Sequence, residues 1–288
     1  MRQTSFSRND VGSMSRVVST GVFQAGLVLD WRGWYRMKNT AERTDAARRF
    51  MCFTCGVLLA STFWVTPLAH LNHRSLTGHM VQHLLLMTVA APLILSGEPA
   101  LVLAYKMITQ RVVGFLDRPF RHRSLNSGWG WSAQLVLCWM AGTAVVIWWH
   151  IPSVFAFSMH SQAGHELEKA TFLVGGILFW QPVLRQRAYS ERRPRWTIVF
   201  YLFFATLPCD VLAAFLTFCG RNIYAVYSSG SESLQRLALL DQERAGALMW
   251  TWVTFVYLVP AVVITISRLS AGCTTWECSS GHNCQTCH

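Results

Sequence analysis

The sequence predicts an all-α, polytopic membrane helical bundle. Three observations carry that expectation: apolar runs long enough to cross a bilayer, a low share of charge, and basic loops that alternate with nearly uncharged ones. Of 288 residues, 52% are hydrophobic and 14% charged, against about 25% charged in a soluble domain. The mean hydropathy is +0.29. Thirteen Trp and seventeen Phe suffice for aromatic belts at both interfaces. A net charge of +11 could suit a nucleic-acid partner. Here, however, Lys and Arg lie in short loops between apolar runs, where they set topology. The expected surroundings are therefore lipid, with no nucleic acid bound.

The first element is a polar segment, 1–16, carrying Arg2, Arg8 and Arg16. No small-residue cleavage site follows it, so no ordinary signal peptide is expected. The apolar stretch 17–29 is interrupted by Ser19, Thr20 and Gln24. It reads as a shortened or tilted span, or as an interfacial helix ending in WRGWYR. Six further runs reach the roughly 20 residues that cross the hydrocarbon core: 50–68, 79–104, 131–150, 166–184, 197–218 and 245–267. The second is long for one span, and Pro92 with Ser96-Gly97-Glu98-Pro99 predicts a kink or an early exit there. The bundle thus occupies 17–268, with six spans plus the short first one making seven, and a Cys/His-rich tail occupies 269–288.

Loop charges orient the spans. Segment 31–49 carries six Lys/Arg, loop 69–78 only Arg74, loop 105–130 five, loop 151–165 none, loop 185–196 five, and loop 219–244 three. In that last loop Glu232, Asp241 and Glu243 partly offset the basic residues. The positive-inside rule puts the basic loops in the cytoplasm. The C-terminus is then cytoplasmic, and the opposite edge faces outward.

Seven of the ten histidines fall at that outer edge: His70, His73, His79, His83, His150, His160 and His165. His79 and His83 are four apart and share one helical face. Met87 continues the stripe one turn deeper, and Met80 flanks it. His150 closes a span in WWHIP, while His165 and Glu168 open the next, three apart and on one face. Imidazole suits copper, zinc and iron, and thioether selects Cu(I). A carboxylate such as Glu168 can fix an imidazole tautomer from behind. The expected metal residues are His79, His83, His150, His165 and Glu168, at the mouth of the bundle. His70, His73 and His160 are loop residues, and Met87 alone also reads as core packing.

Other residues are secondary. Asp210, in ATLPCDVLAAF, is an ionisable group at membrane depth, within reach of the histidines or filling a polar pocket between helices. Glu98 reads as the latter. Asp241-Gln242 cap the last span or close the pocket. Cys52 and Cys55 form a CxxC inside an apolar helix, and small buried thiols are common in such cores. Cys138 and Cys219 read as core. The tail places Cys273, Cys278, Cys284 and Cys287 with His282 and His288 in its last 16 residues. CQTCH matches a c-type haem attachment pattern, but a cytoplasmic location and short length count against haem. A soft-metal clip for Cu(I) or Zn(II), or an idle disordered tail, are the readings left.

Several segments carry a family resemblance: HMVQHLLLMTVAAPLILSGEP, WWHIPSVFAFSMHSQAGHELEKATFLVGGILFWQPVL and DQERAGALMW, with RGWYRM and CGRNIYAVY, in order over 31–268. They resemble the multi-spanning CtaG family of bacterial cytochrome c oxidase assembly factors, the caa3-type group. The resemblance implies a seven-helix bundle in the bacterial cytoplasmic membrane and a part in maturing a haem-copper oxidase, with copper as the cargo. It also implies oxidase subunits or other assembly factors as partners. The family's motif positions map to His79, His83, His150, His165 and Glu168. The departure is the first span, shortened here to 17–29. No catalytic turnover is expected, since there is no nucleotide loop, Ser/His/Asp order or sizeable soluble domain. A metal transporter and a membrane haem protein or metalloenzyme are the alternatives.

Overall fold

The structure is a computed structural model and describes residues 40–65, 75–97, 128–184, 196–224, 226–227 and 231–279. Among the described residues it is built of helices, with no strand. They are α1 (Thr40–Val65), α2 (Leu76–Gly97), α3 (Gly128–His150), α4 (Pro152–His160), α5 (Gln162–Leu184), α6 (Trp196–Phe218) and α7 (Glu232–Ser279). The expected elements 1–16 and 17–29, with His70, His73 and Glu98, lie outside the described residues. So do Cys284, Cys287, His282 and His288 of the tail, while Cys273 and Cys278 fall on the last turns of the α7 backbone.

Among the described residues, four stretches are long and apolar enough to cross a membrane: Leu76–Gly97, Ser132–His150, Trp196–Phe218 and Glu232–Ile266. Helices α1 and α5, at 26 and 23 residues, match them in length. They are more polar, α1 through Arg48 and Arg49 and α5 through Glu166, Glu168 and Lys169. The bundle is inverted relative to a water-soluble protein. Large apolar side chains point outward, Val211 being 71% and Phe218 74% exposed, while His79, Gln82, Glu168, Lys169, Gln181 and Gln242 are buried. Outward apolar and inward polar groups suit lipid.

Four boundaries differ from expectation. Helix α1 begins at Thr40, ten residues ahead of the apolar run expected from 50. The run expected from 79 begins at Leu76 and is described as helix as far as Gly97. The stretch expected as a loop over 151–165 contains α4. Pro152 at its first position fixes a helical φ, and Ile151 before it is extended (φ −67°, ψ 124°), as the residue preceding a proline tends to be. Helix α7 begins at Glu232, thirteen residues ahead of the apolar run expected from 245.

The core forms where α2, α3, α5, α6 and α7 meet, around Met87, Val146, Phe179, Trp180, Leu202, Ala213 and Tyr257. Helix α1 lies against α2 through Phe53, Val57 and Phe63 on Leu86, Ala90 and Ile94. Ahead of Pro92, where a kink or an early exit was expected, the helix contains a π-helical turn, Leu86–Ala90. There the Ala91 N–H reaches Leu86 O, five residues back. The Met87 carbonyl thus loses its α-helical partner, and the next residue that could replace it, Pro92, has no N–H. Trp180 Nε1 of α5 donates to Met87 O instead, at 3.1 Å. Trp252 of α7 donates to Thr88 Oγ1 at 2.9 Å, and that hydroxyl donates to Leu84 O at 2.6 Å. Gly176 makes the approach possible: a Cβ there would lie 2.6 Å from Met87 O and 2.8 Å from Ala91 Cβ.

Candidate metal centre

Two helix starts build the site in the same way. Ser75 accepts from Gly78 N at 3.1 Å and so caps α2. Ser161 accepts from Gly164 N at 3.2 Å at the start of α5. In both, a serine hydroxyl takes the N–H three residues on, as an N-cap does. Each helix then presents a histidine at the next position, in Ser75-Leu-Thr-Gly-His79 and Ser161-Gln-Ala-Gly-His165. One turn later come His83 and Glu168. The α2 start is held further by α7: Asp241 accepts from Leu76 N and from Thr77 Oγ1, each at 2.6 Å. Asp241 therefore caps a neighbouring helix, not its own, because it sits well inside α7. Gln242 fixes the turn after α6, donating to Arg221 O at 3.0 Å and accepting from Ile223 N at 2.8 Å.

These registers bring three donor atoms together. His79 Nε2 is 3.1 Å from Glu168 Oε1, His83 Nε2 is 2.9 Å from His79 Nε2, and His83 Nε2 is 3.3 Å from Glu168 Oε1. His165 Nδ1 lies 3.4 Å from the other carboxylate oxygen. His79, His83 and Glu168 form the group able to share an ion among the described residues. Their separations approach the edges of one tetrahedral face, about 3.3 Å for metal–nitrogen bonds of about 2.0–2.1 Å. The Nδ1 atoms of His79 and His83 are buried without a hydrogen-bond partner. Glu168 is 1% exposed, so its charge calls for compensation. Lys169 does not supply it: its Nζ bonds Glu166 Oε1 at 2.8 Å and Phe63 O at 3.4 Å, and lies 5.4 Å from the Trp64 ring centre. Glu168 instead faces the three imidazoles. An imidazole–carboxylate set with a net negative centre fits a cation such as copper or zinc.

The cluster is not at an open mouth, as the sequence suggested. His79 is 1% exposed and His83 4%. Phe155 of α4 packs edge-on to His79, centroids 5.0 Å apart, and Phe172 stacks on His83 at 4.2 Å. Over Phe155 lie Tyr224 and Tyr227, from the turn after α6. Tyr224 Oη donates to His150 O at 3.3 Å and Tyr227 Oη to Met159 Sδ at 3.6 Å. Burial pushes both phenols well above the ordinary tyrosine range, so they remain neutral donors.

His150 stands apart from the triangle. Its Nδ1 donates to Val146 O at 2.7 Å, in its own helix, and with Met87 it lines a cavity instead. Glu168 sits among the imidazole Nε2 atoms rather than behind one of them. Asp210 is not among the grouped donors; its polar neighbours are Thr206 and Thr254. His160 is exposed and bonds Ala156 O. Cys52 is half-buried and Cys55 exposed, both free thiols. Cys138 is buried as expected, but Cys219 sits at the end of α6, where Gln242 donates to its sulfur at 3.2 Å. The twin Ser-x-x-Gly-His registers are the sequence signal that pairs α2 with α5.

Residues 28–270 match the family described as the cytochrome c oxidase caa3 assembly factor. No curated protein matches the chain, and no solved structure does. The match covers most of the 288 residues, and the chain belongs to that family.

Proposed function

We propose that this member of the caa3 assembly factor family holds copper in its His79–His83–Glu168 cluster, with His165 beside it, and hands the ion to a haem-copper oxidase without catalytic turnover. The observation that carries this reading is Glu168, a buried carboxylate set against three imidazoles while the adjacent Lys169 is spent on Glu166. A protein that merely scaffolded a partner would have no need of such a centre. Family membership supplies the oxidase.

In this reading α1, α2, α3, α5, α6 and α7 supply six crossings of the bacterial cytoplasmic membrane, and 17–29 supplies a short seventh. The alternation of basic loops supports a cluster near the outer face and a cytoplasmic C-terminus. Copper then reaches oxidase subunits, or another assembly factor, on the outer side, and the thiols of the tail collect Cu(I) inside. The haem alternative is less well supported. His79 and His83 Nε2 are 2.9 Å apart, too close to bind one iron from opposite faces with bonds of about 2 Å each.

The test is oxidase maturation in cells carrying His79→Ala with His83→Ala. The variant is expected in the membrane at normal level, with oxidase activity and oxidase copper lost. Normal maturation in that variant contradicts the proposal.

A further inference from the structure

Beside the cluster, further along α2 from its capped end, lies a cavity of about 30 Å³, room for a water-sized sphere or a single ion. Four helices supply its chemistry: Met80, His83 and Met87 from α2, His150 from α3, Cys209 from α6 and Met249 from α7. Three thioethers, a thiol and two imidazoles around one small space form a soft-donor set.

His150 gives an independent indication of a ligand. His150 Nδ1 is 2.7 Å from Val146 O. A carbonyl only accepts, so the proton sits on Nδ1, and the neutral ring keeps a bare lone pair on Nε2. That Nε2 is buried with no hydrogen-bond partner. His83 borders the same space, but its Nε2 lone pair belongs to the cluster, so its buried and unpartnered Nδ1 carries the ring proton. A buried lone pair without a donor, as on His150 Nε2, is rare. Thr88 and Tyr257 also border the space and could support a water, but the three thioethers offer water little. A monovalent soft cation satisfies imidazole and thioether together.

We infer that this cavity is a second Cu(I) station, separate from the His79–His83–Glu168 cluster. His150 Nε2 and the Met87 and Met249 thioethers are its principal donors, Met80 and Cys209 border it, and His83, a ligand of the cluster, stands in the wall between the two stations. The inference rests on the reading that this chain handles copper. It adds a sulfur-rich site where Cu(I) is held deeper in the bundle.

The test uses full-length, selenomethionine-labelled protein in detergent, loaded anaerobically with Cu(I) and read at the selenium absorption edge. The tail contains no methionine, so its thiols contribute nothing to selenium–copper scattering. A copper neighbour of selenium is expected. It should vanish, with one ion per chain lost, in Met87→Leu with Met249→Leu, a swap that conserves volume. It should persist in His79→Ala with Glu168→Gln, which removes the cluster's ion alone. No selenium–copper scattering at full loading overturns the second station and leaves the cluster reading standing. Scattering retained together with an unchanged ion count in the cluster variant overturns the cluster reading and leaves the second station standing. Unchanged scattering in the methionine double variant overturns the assignment of Met87 and Met249.

Discussion

His79 and Glu168, 89 positions apart in the chain, meet with Nε2 3.1 Å from Oε1. Neither residue could hold that position alone. His79 is fixed by the capped start of α2, and Glu168 by the matching start of α5. Their helices are locked together deeper down, where Trp180 donates to Met87 O. The site is therefore a property of the α2–α5 pair, with α7 steadying one end through Asp241.

Replacing Glu168 by Gln removes the charge while keeping the shape. The imidazoles remain, but nothing negative would balance the proposed copper ion. Cu(I) affinity of the cluster is expected to fall at least about tenfold, the lower end of what losing a metal-supporting carboxylate costs. Competition against a chromogenic Cu(I) chelator measures it, and an unchanged affinity would place the charge outside the site.

Gly176 and Gly175 are neighbours with different tolerances. A methyl at 176 meets backbone, Met87 O at 2.6 Å and Met87 Cα at 2.9 Å, so α5 must move away from α2. A methyl at 175 meets only the Val145 side chain, at 3.3 Å or more, which can turn aside. Gly176→Ala is expected to lower stability by about 1–3 kcal/mol, and Gly175→Ala by clearly less. Thermal unfolding of the detergent-solubilised protein compares them; equal melting temperatures would show that the helices do not approach so closely.

Asp241→Ala leaves Leu76 N and Thr77 Oγ1 without their acceptor. Loss of a helix cap costs about 0.5–2 kcal/mol, and here the fraying reaches His79 within one turn. Hydrogen exchange at Leu76–His79 is expected to speed up while α6 stays protected. Unchanged exchange would mean that Ser75 suffices as the cap.

Much of the site was legible in the sequence because helical spacing is a local property. A spacing of four from His79 to His83, and of three from His165 to Glu168, puts each pair on one face whatever the rest of the chain does. The apolar runs likewise located α3, α5 and α6 to within a few residues at both ends. What was not legible depends on partners distant in sequence. Asp241 looks like a cap for its own helix until α7 is seen to start at Glu232. His150 looks like a member of the cluster, but its ring is turned by the Val146 carbonyl and lines the cavity. The lid of α4 and Tyr224 was hidden because nine residues with polar ends read as loop. The π-helical turn follows from Pro92, yet only Trp180 explains why the freed carbonyl is tolerated.

The most direct measurement is copper-edge X-ray absorption of the purified, Cu(I)-loaded protein, wild type against His79→Ala with His83→Ala. The cluster predicts a nitrogen/oxygen shell at about 2.0 Å that shrinks in the variant, with one bound ion per chain lost. Copper bound with the same nitrogen/oxygen shell in both proteins, or no copper bound by the wild type, would contradict a metal centre at His79, His83 and Glu168.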